Sequence, residues 1–205
     1  MSGVRVLAAQ DPARWRAAIS SPFLDGARSG ELPAEAFDRW LEQDRLFVES
    51  LARAWARLLV AAPTEDVPLL SDGIAAFSAE MTWFGALGGE RGLAIPAPAL
   101  PAAAAYCADL ERLAAAPYPV ALAAMWAVEA AYLEAWRSAL PGAPAYRSFV
   151  AHWTDEAFAG FVARVEASAN RALATASVAE RAQAAEAVAL IAEREAAFWA
   201  MTWSG

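Results

Sequence analysis

The sequence contains no lysine, only one histidine and only one cysteine. All 16 basic residues are therefore arginines, which excludes catalysis through a lysine Schiff base and a phosphate loop that depends on lysine. The single histidine, His152, excludes metal sites built from several histidines, and we expect it to be a hydrogen-bonded structural residue. The single cysteine, Cys107, has no partner for an internal disulfide, which indicates a reducing compartment.

Basic charge is scarce as well, and the formal net charge is -8. Nucleic-acid binding depends on clustered basic residues that neutralise phosphates, so we expect no nucleic-acid partner. Charged residues or prolines interrupt the apolar stretches before the roughly 18 to 20 residues that a membrane span requires. A basic segment followed by an apolar run, which would mark a signal peptide, is also missing from the first residues. We therefore expect a cytoplasmic protein with no membrane partner.

The residues that are abundant favour helices. Hydrophobic residues make up 59% of the 205 residues, and they recur every three or four positions without sustained alternation, which predicts an all-α fold. A linker long enough to separate two domains is missing, so we expect a single domain over residues 1–205. The last helix should begin with a capping box formed by Ser177 and Glu180. A short first helix is expected to begin at Asp11-Pro12. Further helices are expected over about 33–62, 67–87, 102–115, 120–140, 146–152, 155–175 and 177–203.

Four carboxylates fall on the apolar faces of four different predicted helices: Asp44, Glu80, Glu129 and Glu195. Glu80 is the weakest of the four cases. Burial of an unpaired carboxylate is costly, so such residues should pair with arginine, share protons or line a polar pocket. Few arginines lie on these faces. The pattern therefore favours one enclosed pocket in which Asp44, Glu129 and Glu195 meet and in which carboxylate pKa values are shifted.

A metal centre is the main alternative for inward carboxylates. A di-iron bundle usually takes Glu-x-x-His motifs from two helices, but this chain has one histidine and it does not have that spacing. Heme would need the same histidine as its axial ligand. We therefore expect neither a metal nor another cofactor.

Several segments, in order along nearly the whole chain, resemble the TenA/thiaminase II family. The segment at 40–48, WLEQDRLFV, resembles the WLxQDYxFV segment of that family, and EAAFW at 195–199 resembles its C-terminal ExxFW motif. The segment at 126–132, WAVEAAY, is similar to WAIEAVY of the branch in which Glu replaces the nucleophilic Cys. The segment at 152–158, HWTDEAF, fits the same branch.

The resemblance implies a heme-oxygenase-like helical bundle that forms a homo-oligomer, a dimer or a tetramer. It also implies hydrolysis of amino- or formylamino-methylpyrimidine to 4-amino-5-hydroxymethyl-2-methylpyrimidine in thiamin salvage. The implied catalytic residues are Glu195, as acid/base, and Glu129, near the position of the missing nucleophile. The implied substrate-binding residues are Asp44, which would bond the pyrimidine amino group, together with Phe47, Glu80, Tyr132 and Trp153.

Two departures from the family pattern affect the expected activity. The helix that carries Glu129 has no cysteine, which argues against cleavage of thiamin itself, and Arg45 replaces the Tyr of the family's QDY triplet. A pyrimidine-binding or regulatory protein without hydrolase activity is the alternative function.

Overall fold

The computed structural model describes residues 3–203, and within this range the chain forms helices joined by turns and loops, without a β-strand. The predicted all-α fold class is confirmed. None of these helices has both the length and the apolar composition needed to cross a bilayer. A 3₁₀ turn, Thr64–Asp66, precedes the fifth helix. The α-helices are α1 (Val4–Ala8), α2 (Pro12–Ala18), α3 (Pro22–Ser29), α4 (Ala34–Ala61), α5 (Val67–Arg91), α6 (Pro101–Ala114), α7 (Tyr118–Ser138), α8 (Arg147–His152), α9 (Glu156–Thr175) and α10 (Val178–Trp203).

Polar side chains cap the helices where the sequence indicates. Asp155 accepts a hydrogen bond from the backbone N–H of Phe158 at the start of α9, over 2.7 Å. The predicted capping box at α10 is present, because the Ser177 N–H donates to the Glu180 carboxylate over 2.7 Å and the Glu180 N–H donates to Ser177 Oγ over 3.2 Å. These bonds satisfy backbone donors that have no partner within the helix.

Two predicted features of the helices are wrong. The short helices α1 and α3 were not expected, and α5 continues to Arg91 instead of ending at Gly88-Gly89. Gly88 lies inside α5, and the loop after the helix packs so closely against it that a Cβ atom there would overlap the side chain of Ile95. The helix ends at Gly92, whose φ of 70° is the left-handed conformation that glycine adopts without strain.

Helix α7 lies at the centre of the molecule and is buried along nearly its whole length. It packs mainly against α9 and α10 and also contacts α1–α4 and α6. The Trp136 ring of α7 lies 4.9 Å from the ring of Trp153, 5.5 Å from that of Trp40 and 6.0 Å from that of Trp199, measured between centroids. This aromatic cluster fixes the part of α7 that carries the candidate site residues.

Candidate functional site

A cavity of about 490 Å³ lies between α4, α5, α7 and α9. Six of the seven residues that the sequence suggests for the site line it: Asp44, Phe47, Glu80, Glu129, Tyr132 and Trp153. The seventh, Glu195, is not among the lining residues. It lies close enough for its charge to act on Asp44 and on Glu129. Asp44, Glu80 and Glu129 therefore meet at the cavity, whereas Glu195, which was expected there as well, does not line it.

Asp44 and Tyr132 form one pair of the site. Both project from inward faces, Asp44 from α4 and Tyr132 from α7, and the Tyr132 hydroxyl donates to Asp44 Oδ2 over 2.8 Å. Burial and the nearby charge of Glu80 raise the pKa of Asp44 well above its usual value, although the bond from Tyr132 acts in the opposite direction. Asp44 is only 2% exposed, so it supplies a polar atom inside an otherwise aromatic environment.

Glu80 occupies the α5 side of the cavity. Its Oε1 accepts a hydrogen bond from Trp153 Nε1 over 2.8 Å and lies 4.0 Å from His152 Nε2. Burial raises the pKa of Glu80 to about 7, and the bond from Trp153 partly offsets that effect. His152, expected as a hydrogen-bonded structural residue, lines the cavity, and its ring lies 4.7 Å from the ring of Trp83.

Glu129 is the carboxylate with the fewest partners. It lies on α7, is 3% exposed, and its Oε1 has no hydrogen-bond partner among residues 3–203. Burial, followed by the charges of Glu80 and Glu195, raises its pKa well above the usual value. A buried polar atom without a partner costs roughly 1–3 kcal/mol, so this atom is the one that a polar group of a bound molecule would satisfy.

Glu195 has a partner that the sequence did not reveal. The Tyr106 hydroxyl on α6 donates to Glu195 Oε1 over 2.6 Å. Burial raises the pKa of Glu195 to about 8, and the bond from Tyr106 lowers it in part. Tyr106 occupies the apolar face that Ala103, Leu110 and Leu113 also form, and a lone polar ring on that face is the signal that could have identified it.

The aromatic residues of the cavity are held in place by other rings. Phe47 lies 4.6 Å from the ring of Tyr106 and 5.9 Å from that of Phe198. Trp153 stacks on Trp136 at 4.9 Å with an interplanar angle of 21°. A flat heteroaromatic ring in the cavity would therefore meet walls of fixed orientation.

Metal ligands and a reactive thiol are the other groups that could carry chemistry. In the part of the chain from 3 to 203, no three His, Cys, Asp or Glu side chains have the geometry to hold a metal ion. Cys107 lies half-buried on α6 and is not a lining residue of the cavity. Burial raises the pKa of its thiol, which disfavours the nucleophilic thiolate.

The four carboxylates together can store and transfer protons. No arginine among residues 3–203 forms an ion pair with any of them, and burial raises the pKa of all four. The raised pKa values favour the protonated forms, and Glu80 and Glu195, whose pKa values are about 7 and about 8, change their ionisation near neutral pH. Unequal carboxylates in one apolar site are the arrangement that separates a general acid from a general base.

Comparisons with known proteins agree with this architecture. The model of the TENA/THI-4/PQQC family matches residues 10–205. A protein from Glycine max, named "Probable bifunctional TENA-E protein", is 29% identical over 201 residues, which cover 92% of this chain and 87% of that one. The structure of a TenA homologue from Pyrococcus furiosus superposes with a TM-score of 0.92 at 25% identity, covering 97% of this chain and 98% of that one. A TenA family transcription regulator from Silicibacter sp. has a TM-score of 0.88 at 21% identity, covering 98% and 96% of the two chains.

Proposed function

The chain belongs to the TENA/THI-4/PQQC family, in the branch that carries Glu in place of the nucleophilic Cys, and we propose that it hydrolyses aminopyrimidine breakdown products of thiamin. The substrate is 4-amino-5-aminomethyl-2-methylpyrimidine or its formylamino derivative. In the amino form, the oxygen of water bonds to the exocyclic methylene carbon and the carbon–nitrogen bond breaks. The nitrogen takes up a proton and leaves as ammonia, and the other product is 4-amino-5-hydroxymethyl-2-methylpyrimidine.

The observation that carries this proposal is the cluster of buried carboxylates at an aromatic cavity. A cavity of about 490 Å³ lined by Asp44, Glu80 and Glu129 offers acceptors for a polar heterocycle and carboxylic acids for proton transfer. Aromatic walls with few convergent polar groups are typical of sites for small planar ligands.

Asp44 would bind the pyrimidine ring. The Asp44 carboxyl group can accept a hydrogen bond from the amino group of the pyrimidine. Tyr132 fixes the orientation of this carboxyl group through the 2.8 Å bond. Phe47 and Trp153 would lie against the faces of the ring. This placement would direct the exocyclic substituent toward Glu129, whose Oε1 has no partner among the described residues.

Glu129 and Glu195 would divide the proton transfers. Burial and like charges raise the pKa of Glu129, which favours its acid form, so it would donate a proton to the departing nitrogen. Glu195 would accept the proton of the attacking water in its ionised form, whose fraction grows as pH rises toward its pKa of about 8 and which the bond from Tyr106 favours. Glu195 is separated from the cavity by its wall, so one bridging water or a small side-chain movement is needed.

A binding protein without turnover is the second candidate. The position of Glu195 favours it, because a pyrimidine could occupy the cavity without contact to this carboxylate. In that case Asp44 and the aromatic walls would bind the ligand, and no water would be activated.

The assay of substrate choice tests the proposed reaction. We expect ammonia and the hydroxymethyl product from the amino substrate at a rate at least about 100-fold above that of thiamin cleavage, since expulsion of the thiazole is aided by a thiolate. Alkylation of Cys107 under native conditions should leave this rate unchanged. If the protein binds the pyrimidine but releases no product from either substrate form, the hydrolase proposal fails and the binding function replaces it.

The oligomeric state is part of the proposal as well. We expect a homo-oligomer, a dimer or a tetramer, because the family resemblance implies one. Light scattering of the eluted protein measures the mass directly, and a monomer at micromolar concentration would contradict the expectation.

A further inference from the structure

The cavity is larger than the proposed substrate requires. The aminomethylpyrimidine has about ten non-hydrogen atoms, and even at the ~30 Å³ that a water molecule occupies in the liquid, they fill about 300 Å³. The cavity measures about 490 Å³. A part of it therefore remains free when the pyrimidine occupies the end that contains Asp44.

The free part is an outer chamber near the protein surface, formed by one face of α5 and one face of α9: Ala76, Phe77, Ala79, Ala157, Phe158 and Phe161. The carboxylates Asp44 and Glu129 at the inner end are buried, whereas the three alanines of the outer chamber are exposed. These six side chains are apolar, whereas the other exposed lining residues of the cavity, Asp72, His152, Asp155 and Arg164, are polar or charged. The inner end and the outer chamber thus differ in depth.

The walls of the outer chamber are held in fixed positions. Phe77 and Phe161 both pack against Trp55, with ring centroids 5.4 Å and 5.3 Å from it. At the mouth, Arg164 of α9 forms an ion pair with Asp72 of α5 over 3.1 Å. The chamber is therefore a formed space between two helices.

The charges around the cavity select against anions. Asp72 and Asp155 are the exposed carboxylates that line the cavity, and the only arginine that lines it within residues 3–203 is Arg164. Arg164 is already paired with Asp72. A carboxylate or phosphate in the outer chamber would meet apolar walls and acidic side chains, which is unfavourable.

We propose that the outer chamber is a subsite for a neutral, apolar substituent on the exocyclic nitrogen of the pyrimidine. The protein would then accept N-acyl aminomethylpyrimidines larger than the formyl derivative and would reject acyl groups that carry a negative charge. This inference rests on the proposed function for the position of the pyrimidine ring. It adds the class of substituent that the same site accepts.

Two amides of nearly equal shape test the charge selection. The 4-methylpentanoyl and succinyl amides of 4-amino-5-aminomethyl-2-methylpyrimidine differ mainly in that an isopropyl group replaces a carboxylate. Calorimetric titration should show the 4-methylpentanoyl amide binding at least as tightly as the formyl amide and about tenfold or more tighter than the succinyl amide. Equal affinity of the two larger amides, or binding of the formyl amide alone, would overturn the proposal.

A pair of neighbouring variants tests the location. Ala76→Leu narrows the outer chamber, whereas Ala75→Leu places the same side chain on the next residue of α5, which is exposed and does not line the cavity. We expect Ala76→Leu to lower the affinity for the 4-methylpentanoyl amide, relative to the unsubstituted amine, by about tenfold. Ala75→Leu should leave that ratio as in the wild type, and an equal effect of the two variants would contradict the assignment.

Turnover of the same compounds separates this proposal from the proposed function. Because the hydrolysed bond can lie on either side of the nitrogen, the assay follows both the free carboxylic acid and the carboxamide. If the 4-methylpentanoyl amide binds but no compound is hydrolysed, the enzymatic function fails and the subsite stands. If the amine is hydrolysed but no acyl group larger than formyl is bound, the subsite fails and the enzymatic function stands.

Discussion

Asp44 is the residue proposed to bind the amino group of the pyrimidine. It is buried, and its Oδ2 is held by the Tyr132 hydroxyl. Asp44→Asn keeps the shape but replaces an acceptor oxygen with an N–H₂ donor facing the pyrimidine amino group. We expect the affinity for 4-amino-5-hydroxymethyl-2-methylpyrimidine to fall about 10- to 100-fold in a calorimetric titration. Asp25→Asn, at an exposed carboxylate, is the control, and unchanged affinity of Asp44→Asn would contradict the binding role.

Tyr106 allows the role of Glu195 to be measured through pH. Its hydrogen bond lowers the pKa of Glu195 from what burial alone would produce. Tyr106→Phe removes that bond, so the pKa of Glu195 should rise above about 8, and the limb of the kcat profile that reports Glu195 should move to higher pH. Tyr118→Phe removes a similar bond to Asp66 and should leave the profile in place. An unmoved profile in Tyr106→Phe would show that Glu195 does not control the rate.

The inward direction of the site carboxylates could be predicted from sequence because helical spacing relates each of them to apolar neighbours on its own helix. Their hydrogen-bond partners on other helices could not be predicted. Tyr106 and Glu195 are 89 positions apart, and no local pattern relates them. For the same reason, the placement of Glu195 behind the cavity wall depends on how α6 and α10 pack, which the sequence pattern does not encode.

Two of the four glycines of helix α5 should respond in opposite directions to replacement by alanine. A Cβ atom at Gly73 would lie 2.8 Å from the buried ring of Trp55, whereas Gly85 has no heavy atom within 4 Å of that position. Gly73→Ala should lower the free energy of unfolding by about 1–3 kcal/mol through overpacking. Gly85→Ala should raise it by about 0.5–1 kcal/mol, because alanine loses less entropy in a helix. Urea denaturation measures both, and a stabilising Gly73→Ala would contradict the packing described for Trp55.

The long helices were predictable because caps and prolines mark their ends, as at Ser177 and Pro101. The short helices α1 and α3 were not predicted. Helix α1 spans only Val4–Ala8 and its N-cap residue Gly3 makes no side-chain cap bond, so local signals are weak. Helix α3 begins with Ser21-Pro22, a capping residue followed by proline, which is the same signal that predicts the start of α2 at Asp11-Pro12.

The whole molecule should become less stable as pH rises. The pKa of Glu195 is about 8 and that of Glu80 about 7, against 4.5 for an unperturbed glutamate. Between those values the folded protein keeps protons that the unfolded chain has lost, so the free energy of unfolding falls as pH rises from about 4.5 to about 8. At about 1.4 kcal/mol per pKa unit, the two groups together would lose on the order of 8 kcal/mol at most.

Urea denaturation at pH 5 and pH 8 measures this dependence. Glu195→Gln, which cannot ionise, should lose less stability between the two pH values than the wild type. A wild-type stability that is constant or higher at pH 8 would show that Glu80 and Glu195 do not have the raised pKa values described.

The central claim is that buried carboxylates perform hydrolysis at the aromatic cavity, and Glu195→Gln tests it most directly. Single-turnover release of ammonia from 4-amino-5-aminomethyl-2-methylpyrimidine should fall by about 100-fold or more, while the affinity for the hydroxymethyl product stays within about threefold of the wild type. Glu193→Gln, two residues away on α10 with a half-exposed side chain, should retain wild-type turnover. Wild-type turnover in Glu195→Gln would contradict the account.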